Sequence, residues 1–278
     1  MSIDRNHCSP ESNVKGTWVL KRTLLMLWWT VGAAATPFDR APVSEVPAIP
    51  SPEEIETNQR AAKERLLYDF ADLHHFAAEN AALRPPLHNE QRVVFMGDSI
   101  TESWARIDPE FFSRQEFINR GISGQTTPQM LVRFRQDVIA LKPSMVHILA
   151  GTNDLAENTG PTDLATIEAN INSMVDIAKA NGVRVVIGSV LPATEFWWHR
   201  GLNPGPKISA LNAKLKRVAA HRRIVYVDYY SALTDGALGM PLEFAADGVH
   251  PSLAGYRKME ALAAAAITRA ERSLPRWR

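Results

Sequence analysis

The sequence is short of several things that would mark other kinds of protein. One cysteine, Cys8, occurs in 278 residues, so no disulfide framework or cysteine-based metal site supports the fold, which must stand on its core. No apolar run reaches the roughly 20 residues that a membrane-spanning helix needs. Basic and acidic residues number 31 and 30, a balance that argues against nucleic acid as a partner. Internal repeats and metal-type Cys/His clusters are also missing.

What is present suits one soluble α/β domain with 45% apolar residues. Lys15, Lys21 and Arg22 precede a short apolar run, Leu24 to Val31, that leads into Ala33-Ala34-Ala35. This pattern predicts a secretory signal over residues 1–35, an exported protein, and no stable membrane insertion after cleavage. Cys8 lies before that run and so cannot be a lipoprotein-type acceptor after it. Residues 36–50, with Pro37, Pro42, Pro47 and Pro50, read as a linker.

Ser51-Pro52-Glu53-Glu54 has the form of a capped helix start. Leu66, Phe70, Leu73 and Ala77 continue at helical spacing, and Pro85-Pro86 ends the run. An N-terminal helix within 51–85 is therefore expected, docking its apolar stripe on the domain that follows, 86–278. There, short β-branched runs over 93–96, 116–119, 145–150, 183–187 and 224–227 alternate with helical stretches over 127–141, 162–180, 207–220 and 253–269. This alternation predicts a parallel sheet with helices on both faces.

In such sheets reactive groups gather at the carboxyl ends of the strands. The segment VVFMGDSITESW places Ser99 just beyond the first strand, a position that suits a nucleophile. A serine hydroxyl needs a base, and His250 in Asp247-Gly248-Val249-His250 is the well-placed histidine. That spacing lets carboxylate and ring lie side by side on a turn, with the other ring nitrogen facing Ser99. Candidate donors for a developing oxyanion are the N–H groups of Ser99 and Gly121 and the amide of Asn153, after the first, second and third strands.

Gly97-Asp98-Ser99, Gly121, Gly151-Thr152-Asn153-Asp154 and Asp247-x-x-His250 resemble, in order, the four blocks of the SGNH, or GDSL, hydrolase superfamily. "GDSITESW", "NRGISGQTT" and "GTND" are most similar to bacterial GDSL-type acylhydrolases related to the catalytic subunits of intracellular platelet-activating-factor acetylhydrolase. The resemblance implies a three-layer α/β/α flavodoxin-like sandwich with a central parallel sheet of about five strands. It also implies Ser99 as nucleophile, His250 as base, Asp247 as its orienter, and Ser99, Gly121 and Asn153 as the oxyanion hole. No metal or organic cofactor is required by that chemistry.

Other residues read as structural. Asp98 and Asp154 suit hydrogen bonds to turn backbone. Ser123 is a weaker nucleophile candidate, because Gln125 breaks the G-x-S-x-G pattern. His147 lies within an apolar strand, and His74 and His75 on the first helix are structural or solvated. Gln125-Thr126-Thr127 suits a helix cap more than a site lining. Trp197 and Trp198, in the loop over 192–206, either plug the sheet end or form a wall for a sugar ring or acyl chain, with Arg200 placed for an acidic group.

The expected activity is that of a serine esterase acting on a small-molecule or glycan ester, with short acyl or O-acetyl groups on carbohydrate favoured. Two rivals stand beside it: a lysophospholipase or thioesterase, and a noncatalytic carbohydrate-binding protein on the same scaffold. The oligomeric state is not legible.

Overall fold

The computed structural model describes residues 50–114 and 117–272. The signal expected over 1–35, the linker up to Ile49 and Cys8 lie outside them. In chain order the elements are α1 (Pro52–Tyr68), α2 (Ala77–Ala82), β1 (Val93–Gly97), α3 (Ser99–Ile107), α4 (Pro109–Arg114), β2 (Ile118–Gly121), α5 (Thr127–Asp137) and β3 (Met145–Leu149). There follow α6 (Thr152–Leu155), α7 (Leu164–Ala180), β4 (Arg184–Gly188), α8 (Pro204–Arg222), β5 (Val225–Val227), α9 (Tyr229–Leu233) and α10 (Leu253–Arg272).

All five strands are parallel, in the order β2-β1-β3-β4-β5. Every residue of β1 and β3 is buried, as a strand covered on both faces requires. Val94 and Met96 point into a core shared with α5, α7 and α8, built from Met130, Phe134, Ile171, Met174, Leu211 and Leu215. Val93 and Phe95 point the other way, against Trp104 of α3, Phe111 of α4, Tyr229 of α9 and Tyr256 of α10. The three-layer α/β/α sandwich expected of the sequence is thus present. Because the chain leaves β1 toward β2 and returns to β3 on its other side, a crevice opens between their carboxyl ends.

The N-terminal region departs from expectation. Ser51 and Glu54 form the anticipated capping box, with Ser51 N and Oγ both 2.8 Å from Glu54 Oε2. The helix, however, ends at Tyr68 instead of running on to the prolines, and only α2 resumes it. Asp69 accepts from the backbone N–H of His74 at 3.2 Å, and Asp72 takes a left-handed φ of 52°. The carbonyls freed by this break are capped from outside. Gln129, Gln125 and Gln136 donate to Phe70 O, Ala71 O and Leu73 O at 2.6, 2.8 and 2.7 Å. Ala71 and Phe76 are buried by this docking, whereas Leu67 and Tyr68 of α1 remain 82% and 85% exposed. The docked part is the turn, not the apolar stripe of α1.

Candidate active site

At the end of β1, Asp98 caps α3 by accepting from Ile100 N at 3.0 Å, and this turn sets Ser99 as the first residue of the helix. Ser99 Oγ lies 2.9 Å from His250 Nε2, and His250 Nδ1 lies 2.6 Å from Asp247 Oδ2. A proton on Nδ1 leaves Nε2 free to accept from the serine hydroxyl.

The D-x-x-H spacing works because the two carboxylate oxygens divide their tasks. Asp247 Oδ1 accepts from Val249 N at 2.9 Å and His250 N at 2.7 Å, which folds the turn, and Oδ2 takes the ring. Burial pushes the Asp247 carboxyl up, but the bonds from the His250 ring and from this backbone outweigh it and hold the group below the usual carboxylate value. Asp247 therefore stays ionised beside the ring at neutral pH.

Asn153, expected as an oxyanion donor, lies buried in α6. Its Nδ2 donates to Gln125 O at 3.1 Å, which leaves the second amide hydrogen unassigned. Gly121 differs from expectation. Its N–H donates to Asn119 Oδ1 at 2.9 Å, and a Cβ there would meet Glu102 N at 2.2 Å and Asp98 O at 2.8 Å. Gly121 is thus a close-packing glycine between β2 and α3 with its donor engaged. Three residues on, Gly124 takes φ +79°, a conformation that favours glycine, and its N–H has no partner among the described residues. Spacing alone could not choose between the two glycines, since the difference lies in where each N–H points.

The structural readings hold for several neighbours. Asp154 accepts from Thr127 N at 2.9 and 3.1 Å and from the Thr127 hydroxyl. Thr126 and Gln129 form the capping box of α5. The Ser123 N–H donates to Glu102 Oε2 at 2.9 Å and its hydroxyl to the same oxygen, so Ser123 is tied to a carboxylate and not to a histidine. His147 is fully buried, 2.8 Å from Tyr229 Oη, and burial pushes its ring down to about 3. His74 is exposed, 3.0 Å from Asp69 Oδ2.

Trp197 and Trp198 are half-buried beside the Asp247–His250 turn. Trp197 Nε1 donates to Asp247 Oδ2 at 3.2 Å, and the Trp198 ring centroid lies 6.1 Å from that of His250. Arg200 is exposed, with no ion pair among the described residues. Asn158, which no motif singles out, donates to Asn153 Oδ1 and Gly124 O, each at 3.0 Å. A cavity of about 390 Å³ lies at the amino end of β1, lined by Glu90, Arg92, Phe111 and Glu260 among others. That is the opposite end of the strand from Ser99.

Known proteins share this fold. The chain is 48% identical to a GDSL-like lipase of known structure from Bacteroides thetaiotaomicron, with a TM-score of 0.71 over 73% of this chain and 100% of that one. It is 28% identical over 183 residues to Esterase TesA of Pseudomonas aeruginosa, covering 61% of this chain and 84% of that protein. Over 150 residues it is 28% identical to Acetylxylan esterase of Geobacillus stearothermophilus, 50% of this chain and 66% of that protein. Among the described residues no helix is long and apolar enough to cross a membrane. Residues 95–258 match the model of the GDSL-like Lipase/Acylhydrolase family, and the chain belongs to that family of carboxylic ester hydrolases.

Proposed function

We propose that the protein hydrolyses short acyl esters, chiefly O-acetyl groups on carbohydrate, through an acyl-enzyme on Ser99. The observation that carries this reading is the unbroken line from Ser99 Oγ through His250 to Asp247, at 2.9 and 2.6 Å. His250 Nε2 takes the hydroxyl proton as Oγ attacks the ester carbonyl carbon, and Asp247 holds the imidazolium that forms. The tetrahedral oxyanion is received by the Ser99 N–H, the Asn153 amide and the Gly124 N–H, which replaces Gly121 in this role. Collapse expels the alcohol, protonated by His250. Water, deprotonated by the same ring, then attacks the acyl-serine and releases the acid.

The carbohydrate preference is supported by the likeness to an acetylxylan esterase and by the aromatic loop beside His250. Export, supported by the basic, apolar and Ala33-Ala34-Ala35 pattern, would bring the enzyme to extracellular glycans. A lipid ester or thioester is the second reading, since the same serine chemistry would serve it. Hydrolysis of p-nitrophenyl esters from acetate to laurate tests both. Acetate is expected to be cleaved fastest, and Ser99→Ala and His250→Ala to lose about four orders of magnitude in kcat. A rise in kcat/KM toward laurate would move the substrate to lipids, and full activity in Ser99→Ala would overturn the serine mechanism.

A further inference from the structure

The loop between β4 and α8 brings two adjacent indoles to the crevice, and both N–H groups turn inward. Trp197 Nε1 donates to Asp247 Oδ2 at 3.2 Å, the oxygen that also takes the His250 ring at 2.6 Å. Trp198 Nε1 donates to Asn158 Oδ1 at 2.9 Å, and Asn158 Nδ2 passes the contact on to Asn153 Oδ1 and Gly124 O, each at 3.0 Å. One residue therefore grips the base side of the site and its neighbour grips the oxyanion side. The pair is itself anchored. Trp198 packs 5.1 Å from Trp197 and 5.1 Å from Phe196, which is fully buried. From α1, Gln59 Nε2 donates to Trp198 O at 3.1 Å.

We infer that Trp197 and Trp198 are positioning residues: Trp197 fixes the carboxylate that orients His250, and Trp198, through Asn158, fixes the amide of Asn153. The inference rests on the catalytic reading of Ser99, His250, Asp247 and Asn153 above. Both indole N–H groups are engaged within the protein, so whatever the ring faces pack against, the donors are committed to Asp247 and Asn158. An amide that accepts at Oδ1 and donates one hydrogen to Gln125 O has its remaining hydrogen aimed by elimination. Polar networks of this kind, enclosed by apolar packing, hold their members more rigidly than the separate bonds would.

The two arms predict different kinetic signatures. Trp197 shares the charge of Asp247 Oδ2, so removing its N–H leaves that charge wholly to the ring and favours the protonated base. The other groups facing His250 are Ser99 and Asp98 at the end of β1 and Trp198 from the β4–α8 loop, and the Asp98 charge reaches the ring. Pairing each variant with Asp98→Asn separates that carboxyl from the effect.

The experiment is p-nitrophenyl acetate hydrolysis across pH 5 to 9 by Trp197→Phe, Trp198→Phe and Asn158→Ala, with thermal midpoints measured alongside. Trp197→Phe should move the acid limb of log kcat/KM upward by about half to one pH unit. Trp198→Phe should leave the limb in place and lower kcat by about tenfold or more, with KM within about twofold. Asn158→Ala should match that loss, and the double variant should be no worse than Asn158→Ala alone. If Trp197→Phe fails to fold, benzothienylalanine at 197 keeps the ring shape without the N–H.

An unmoved limb in Trp197→Phe overturns the base arm. A raised KM with unchanged kcat in Trp198→Phe overturns the oxyanion arm and makes the ring a substrate wall. Ser99→Ala run in parallel tells the two levels apart. If that variant is active, the serine reading fails. If it is dead while the tryptophan variants behave as the parent, only the positioning inference fails.

Discussion

Asp98 stands one residue before the serine and is wholly buried, with Oδ1 bonded to Ile100 N and no partner for Oδ2 among the described residues. Burial pushes its carboxyl up to about 7, well above the usual carboxylate value. The folded protein thus binds this proton more tightly than the unfolded chain. The favourable contribution is complete below the unfolded value of about 4 and is lost as pH rises through about 7. Asp98→Asn keeps an acceptor for Ile100 N and cannot ionise. The difference in Tm between Asp98→Asn and wild type should therefore grow in the variant's favour from pH 4 to 7 and level off above about 8. A difference independent of pH, read by thermal unfolding in matched buffers, would show that Asp98 does not titrate in this range.

At the scale of elements, the site depends on how α5 and α6 meet. Asp154, one residue after Asn153, closes the first turn of α5 by accepting from Thr127 N and from the Thr127 hydroxyl, and Asn170 Nδ2 donates to that hydroxyl at 3.0 Å. Burial pushes the Asp154 carboxyl up, and the bonds from Thr127 oppose the rise. Asp154→Ala leaves a buried N–H and hydroxyl without their acceptor and should cost about 1–3 kcal/mol. At roughly 2–4 °C per kcal/mol for a domain of this size, the loss is visible by calorimetry. No change in Tm would mean that water replaces the carboxylate and that the α5–α6 join is not held by it.

Across the whole molecule, one buried arginine joins the docked N-terminal turn to β1 and β2. Arg133 donates to Gly97 O at 3.0 Å, Arg120 O at 2.8 Å, Gln125 Oε1 at 2.5 Å and Asp137 Oδ2 at 3.1 Å. Gln125 continues to Ala71 O, and Asp137 accepts from Asn80 of α2 at 2.7 Å. Burial pushes the guanidinium down to about 10, with Asp137 opposing the shift, so it remains charged at neutral pH. Arg133→Met strands the Asp137 carboxylate and two carbonyls in the interior and should cost about 3–5 kcal/mol, measured by urea unfolding. Arg133→Met with Asp137→Leu should recover part of it, because an unpaired buried charge costs more than the pair contributes. A double variant no better than the single would place the loss in the two carbonyls instead.

The sequence by itself determined what is written in contiguous residues: the alternating layers, the capping boxes at Ser51 and Thr126, the strand-end turn at Gly97-Asp98-Ser99, and the pairing of Asp247 with His250. Each depends on neighbours a few positions apart, where spacing fixes geometry. The tertiary structure alone decided the rest. The helical spacing from Leu66 to Ala77 gave way because glutamines some 54 to 63 positions further on offered its carbonyls better partners. The N–H of Gly121, the donor expected from the sequence, is taken by Asn119 Oδ1, and Gly124 three residues on has a left-handed φ and an N–H without a partner among the described residues. Trp197 meets Asp247 across 50 positions, and that contact exists only once five strands have brought their carboxyl ends to one edge. Long-range hydrogen bonds carry no local signal, because the packing of the layers, not the spacing of residues, sets their distance.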